Sequence, residues 1–195
     1  AIARLKKKWI PHPIKDDDEI LDLAAEAGCW YVYQAIVDTS DHIRKRVKRL
    51  KDRGIGVEGT IILGTDDHDE DYIKRLVDFL LEIDLDLAEF TILTPFPHTP
   101  IRARLEKENR ILHNDWARYT AGEVVFKPAK IGVDSLQKMY EYAWETFYSG
   151  MCKEIQMAKL YLKVIEKEKR DGTYKKVPLV SGRTRNPSKR GVKQS

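Results

Sequence analysis

Gly56-Val57-Glu58-Gly59-Thr60-Ile61-Ile62-Leu63-Gly64-Thr65-Asp66-Asp67 is the stretch that decides the fold class. Val57, Ile61, Ile62 and Leu63 read as a strand buried on both faces, the pattern of a parallel sheet covered by helices. A glycine inside such a strand permits close backbone approach, and one just past its end permits a tight turn. The acids that follow, Asp66 to Asp71, belong at the start of a helix, where the aligned peptide dipoles favour negative charge. They lack the spaced oxygens and central glycine of a calcium loop.

Working outward, the same alternation recurs on both sides. Downstream, Asp69–Ile83 places Tyr72, Ile73, Leu76, Val77 and Leu80 at helical spacing, and Leu87–Leu93 is the next strand. Upstream, Ser40–Arg53 carries Ile43, Val47 and Leu50 on one narrow stripe, with Gly54 as its stop. Cys29–Val37 is a β-branched and aromatic run, so a strand. Asp16–Ala27 is helical, and Lys8-Trp9-Ile10-Pro11-His12 reads as the end of one more strand. Alternation at about 30-residue spacing is the mark of right-handed βαβ units. A closed barrel of such units takes roughly 250 residues. Only part of one is legible here, so the expected fold is α/β, a partial TIM-type barrel of parallel strands.

After Thr99-Pro100 the rhythm changes. Ile101–Glu108 reads as a short helix, and 109–130 as irregular chain with a strand at Val124-Val125-Phe126. From Val133, the spacing of Leu136, Met139, Tyr140, Ala143, Trp144 and Phe147 predicts a long helix packed on the sheet. Met151, Ile155, Ala158, Leu162 and Ile165 continue it in steps of four and three, close to a coiled-coil seam. Residues 170–195, rich in Lys, Arg, Gly, Pro and Ser, read as a basic disordered tail.

Composition excludes several classes. The 195 residues carry 35 Lys and Arg against 31 Asp and Glu, and the excess lies in the tail: from Lys159 onward there are 12 basic residues and 3 acidic ones. No run approaches 18 apolar residues, so no membrane span is expected. Two cysteines, Cys29 and Cys152, far apart in sequence, argue against a disulfide framework or structural zinc and fit a reducing, cytoplasmic setting. Cys29 opens a buried strand and reads as an inert core thiol. The five histidines show no metal-ligand spacing, and no Walker loop, Rossmann fingerprint or G-x-S-x-G appears. The tail could offer phosphate contacts. Beyond Tyr174 it lacks aromatics interleaved with its basic residues, so nucleic acid is not the expected partner.

In parallel α/β folds ligands gather at the C-terminal ends of strands. Gln34–Ser40, Gly64–Asp67, Thr94–Pro100 and His12-Pro13 qualify. The segment Ile92-Leu93-Thr94-Pro95-Phe96-Pro97-His98-Thr99-Pro100 has three prolines in six residues and would hold its backbone groups in fixed directions for a flat ligand.

These residues together resemble the C-terminal half of the radical SAM family, in particular its cobalamin-binding members. There a glycine-rich strand is followed one unit later by a Leu-Thr-Pro-Phe-Pro-Gly-Thr-Pro strand end. The resemblance continues through Asn109-Arg110-Ile111, Asp115-Trp116, Val124-Val125-Phe126-Lys127-Pro128 and the helix bearing Tyr140, Ala143, Trp144, Phe147 and Tyr148, and it spans about residues 8 to 150. It implies S-adenosylmethionine bound against a four-iron four-sulfur cluster, cleavage to a 5′-deoxyadenosyl radical, and modification or methylation of a substrate, in some members with cobalamin. The family's C-x3-C-x2-C cluster loop is absent from this sequence, and Cys29 and Cys152 cannot supply it.

Carried over, Gln34, Asp38, Thr60, Ile62 and Gly64 would lie near S-adenosylmethionine, and Leu93, Thr94, Pro95 and Phe96 would wall the adenine. Apart from that carry-over, Asp66 and His98 are candidates for the substrate side, because their loops sit at the active end of the sheet. Two departures stand out: Ala35-Ile36-Val37-Asp38 replaces a Gly-x-Glu-Ser, and His98 takes the place of a glycine. The resemblance divides the chain into barrel units at 1–100, a family extension at 101–150, a helical extension at 151–169 and the tail at 170–195. With no initiator Met and a first strand that reads as cut, the chain is expected to be the C-terminal part of a larger enzyme. Its partner would be the N-terminal half, and the piece alone would be inactive. The alternatives are a non-catalytic remnant or scaffold, and a basic-tailed RNA-associated protein.

Overall fold

The computed structural model describes residues 8–148, 153–170, 172 and 174. The basic segment 175–195, residues 1–7, and Met151 and Cys152 lie outside the described residues. In chain order the elements are α1 (Asp18–Glu26), β1 (Tyr31–Ala35), α2 (Asp41–Asp52), β2 (Gly56–Leu63), α3 (Glu70–Glu82), β3 (Leu87–Ile92), α4 (Pro100–Lys107), α5 (Val133–Tyr148) and α6 (Lys153–Arg170). The sheet is parallel, ordered β1-β2-β3. The alternation of strand and amphipathic helix thus produces an open α/β sheet whose strands all point the same way.

Helix starts follow local chemistry. Asp17, Ser40, Asp69 and Thr99 each accept a hydrogen bond from an orphan amide of the helix they precede, and Pro100 sits where its missing N–H costs nothing. Trp9 makes one parallel bridge to Cys29, so the strand expected at 8–12 is a single bridge held by hydrogen bonds from Trp30 N to Trp9 O and from Tyr33 N to Pro11 O. Prolines at 11 and 13 remove the donors a longer ladder needs. The strand expected at 124–126 is likewise one antiparallel bridge, Phe126 to Ile111.

Strand alternation divides the sheet into two faces. One carries Val32, Ile36, Val57, Ile61, Leu63, Phe90 and Ile92, which join Leu50, Leu76, Leu80, Leu136 and Phe147 of the helices in the main core. The other carries Tyr31, Tyr33, Glu58, Thr60, Ile62, Leu87, Glu89 and Thr91, which the register sets side by side. On this second face α6 packs: Leu160 joins Tyr31 and Leu87 in a separate small cluster. A Cβ on Gly56 would meet Leu160 at 2.7 Å, so that glycine is what lets the helix approach.

Two expectations are corrected here. Ile62 is not buried but 54% exposed, because α6 covers only the N-terminal half of its face. Nor does α6 continue α5 along a coiled-coil seam. The two helices lie on opposite sides of the sheet; Ile155 and Leu162 of the expected seam are exposed, while Leu160 and Val164 are buried. Among the described residues no helix is long and apolar enough to cross a membrane.

Candidate functional site

The C-terminal ends of β2 and β3 form one rim. Leu63 and Ile92 are register partners, and just beyond them Leu93 N donates to Leu63 O at 2.8 Å. The loops after both strands therefore leave the sheet side by side, as the sequence predicted. Thr94 Oγ1 donates to Ile92 O at 2.9 Å, and Thr99 Oγ1 to Phe96 O at 2.7 Å, which folds Thr94–Thr99 into a tight turn feeding α4. Pro95 is buried, Leu93 and Thr94 are half-buried, and the Phe96 ring is 49% exposed. His98 sits at φ 62°, the left-handed region that favours glycine, which gives a physical reason for a glycine at this place in the family it resembles. Its exposed ring borders a shallow groove with Thr99, Pro100, Arg102 and Glu106 beside α4, away from the strands.

The loop after β2 is pinned. Asp66 pairs with Arg110 at 2.6 Å and Arg104 at 2.8 Å, and the Arg110 hydrogen bond holds its carboxyl below the ordinary carboxylate range. Asp67 accepts from Thr65 Oγ1 at 2.6 Å, and Asp69 caps α3. His68 is buried, stacked on Tyr72 at 4.3 Å, with Nδ1 accepting from Gly64 N. Burial pushes its imidazole pKa down, against the pull of Asp67 and Asp69. Each member of the acidic run named here has a structural partner, in line with its reading as capping and solvation.

The residues proposed near S-adenosylmethionine fall into two groups. Thr60 and Ile62 stand on the second face near the end of β2, and Thr94 and Phe96 lie in the loop after β3, whereas Leu93 packs against the main core. Gln34 does not join them. It stands on the opposite face, accepting from Arg46 Nε at 3.3 Å, because a strand turns successive side chains to opposite sides. Gly64, at φ 88°, is packed against α5: a Cβ there would meet Leu136 at 2.6 Å. In the fold it makes a turn under a helix. Asp38 is exposed in the loop after β1, where it accepts from Ser40 N at 2.9 Å; its bonds from Ser40 hold its pKa down.

One cluster was missed. Glu58, Glu89 and Lys153 meet on the second face below the rim: Lys153 Nζ lies 2.6 Å from Glu58 Oε1 and is also bonded to Glu89 Oε2. Glu58 is 2% exposed. Burial alone would lower the Lys153 pKa, but its bonds to both carboxylates outweigh that and hold the ammonium above its ordinary range. The signal in the sequence was a carboxylate between two glycines in an otherwise apolar strand, a charge that must find a partner.

The described residues do not fit an iron–sulfur cluster. Cys29 is buried at the N-terminal end of β1, away from the rim, and burial pushes its thiol pKa up to about 12, so the thiolate an iron ligand requires is disfavoured. Among the described residues no group of three or more His, Cys, Asp and Glu is placed to hold a metal ion. Near the rim, Ile62 and Phe96 are exposed apolar side chains, and Thr60 and Thr94 are half-buried.

No protein-family model matches the chain. Among curated proteins it is similar to methyltransferases. One is bacteriochlorophyllide d C-12(1)-methyltransferase of Chlorobaculum tepidum, 26% identical over 167 residues, covering 77% of this chain and 36% of that protein. Another is an uncharacterised methyltransferase of Pyrococcus horikoshii, 26% identical over 145 residues, covering 68% and 32%. The chain thus spans about a third of the length of these relatives. Among solved structures, the radical S-adenosylmethionine methyltransferase TsrM of Kitasatospora setae, with cobalamin and a 4Fe-4S cluster bound, superposes with a TM-score of 0.45 at 20% identity, over 52% of this chain and 23% of that one.

Proposed function

We propose that this chain forms one wall of a methyltransferase of the radical SAM type, holding the adenosyl end of S-adenosylmethionine at the β2–β3 rim. The observation that carries the reading is the junction of the two strand ends, where Leu93 N donates to Leu63 O and both Ile62, near the end of β2, and Phe96, in the loop after β3, are exposed. The similarity to methyltransferases supports the reaction class. S-adenosylmethionine would bring the methyl or adenosyl group. The chain's own part is to seat the flat base on apolar side chains and meet its edges with backbone groups stiffened by Pro95 and Pro97. Cluster ligands, and cobalamin where it is used, would come from the N-terminal part of the same protein, and the wall alone would not catalyse.

Titrating the chain with S-adenosylmethionine at millimolar concentration while following backbone amide shifts tests this. The expected outcome is perturbation centred on Thr60–Thr65 and Thr91–Phe96, abolished by Ile62→Glu, an exposed position where the fold tolerates charge. Shifts centred elsewhere, or none, would overturn the proposal.

A further inference from the structure

We propose that α6 is a strap that lifts from the sheet as a unit while the rest of the fold stays closed, and that the charge on Lys153 is its latch. Lifted, it uncovers the second face along its length, from Tyr31 and Leu87 to Ile62. The inference stands apart from the adenosyl reading, because its readout is the helix itself and not a ligand.

The seat of the helix carries the first part. Of the 18 residues of α6, Leu160 and Val164 are the buried ones, and Leu160 meets Tyr31 and Leu87 in a cluster separate from the main core. The other holds are polar. Lys153 bonds Glu58 and Glu89, Lys163 lies 3.7 Å from Asp86, and Lys167 donates to Arg53 O at 2.8 Å. A cleft of about 160 Å³ stays open between α6 and the chain at Leu81, Leu85 and Phe147, a gap that a close-packed core does not leave. Trp30, edge-on to Tyr161 of α6 at 5.3 Å, has its Nε1 buried with no hydrogen-bond partner, a cost that lifting removes. Few buried apolar contacts mark an element that opens before the whole fold does.

Glu58 carries the second part. It is buried on the face that α6 covers, and a buried carboxylate holds a helix only while that helix brings the cation. Lys153 is the first residue of α6, where the helix dipole disfavours positive charge, and its two carboxylate partners offset that. Without the ammonium, Glu58 keeps the hydrogen bond of the Tyr31 hydroxyl but has lost its counter-charge. The carboxylate then needs water, and the clamp becomes a wedge.

Hydrogen–deuterium exchange of the whole chain, read by mass spectrometry, tests both parts. In the parent, the amides of 157–168 should exchange at least about tenfold faster than those of α3 and α5, through one shared opening. Lys153→Met keeps the length of the side chain without its charge. It should speed that exchange by at least about another tenfold and leave α3 and α5 unchanged. Adding Glu58→Gln removes the wedge, keeps an acceptor for Tyr31, and should bring the exchange of α6 back toward the parent rate. Exchange of α6 in step with α3 and α5, or an unchanged rate in Lys153→Met, would rule the strap out. So would acceleration spread over every helix, or no recovery in the double variant.

Discussion

His68 shows how a residue at the rim acts through structure rather than chemistry. Its imidazole is buried against Tyr72, and Nδ1 accepts the Gly64 amide, so the neutral form is the one the folded chain accommodates. Its folded pKa lies below the ordinary value of 6.5, with burial as the main cause. The unfolded chain therefore takes up the proton first. The stability tied to neutral His68 is whole above pH 6.5 and is lost as pH falls through the folded-state pKa. Urea unfolding of the chain and of His68→Gln, which keeps an acceptor but does not titrate, should give curves that converge as pH drops from 7.5 toward 5, because only the parent loses this contribution. Parallel pH profiles would remove the role assigned to the buried ring. Gly64 belongs to the same turn: the sequence showed that a glycine ended the strand, but not that Leu136 of α5 occupies the space beside it.

At the scale of elements, α6 is the part that sequence periodicity misplaced. The seam of Ile155 and Leu162 was read correctly as a helical stripe, yet it faces outward, and the helix seats itself through Leu160 over Gly56 and through Lys153 between two carboxylates. Leu160→Ala should cost about 2–4 kcal/mol, the range for emptying a well-packed apolar site. Leu162→Ser, at 57% exposure, should change stability by less than about 0.5 kcal/mol. Denaturant midpoints of the two variants check this, and a reversal of their order would restore the seam. By contrast α1 to α4 and the three strands were legible to within a few residues, because caps such as Ser40, Asp69 and Thr99 and stops such as Gly54 are local signals. The rim was legible for the same reason, since β2 and β3 are consecutive units. What was not legible depends on contacts distant in sequence. Lys153 reaches Glu58 across 95 positions that carry no shared motif, and the orientation of Gln34 followed from which residue of Cys29–Val37 entered the ladder first.

For the whole molecule, an open sheet raises the question of its edges, since unpaired strand groups template association with another chain. The structure gives β1 partial cover from residues 9–11, through Trp9 O and Pro11 O. The β3 edge is closed more firmly. Tyr148, at the end of α5, donates its hydroxyl to Ala88 O at 2.7 Å and accepts from Ala88 N at 3.1 Å, while Ile92 N donates to Ala121 O at 2.7 Å. One phenol thus satisfies both backbone groups of a buried residue. Tyr148→Phe keeps the ring, and its edge-on packing with Phe147, but strands that N–H and C=O. The cost should be about 1–3 kcal/mol, the penalty for leaving buried polar groups unmet. It should also free the middle of β3 to pair with another copy. The parent chain should then show less concentration-dependent growth in light scattering than Tyr148→Phe, with the excess abolished by Ala88→Pro, which cannot donate to an added strand. If Tyr148→Phe loses stability but scatters like its parent, the hydroxyl is a core bond and nothing more, and the loop around Ala121 is enough to guard the edge.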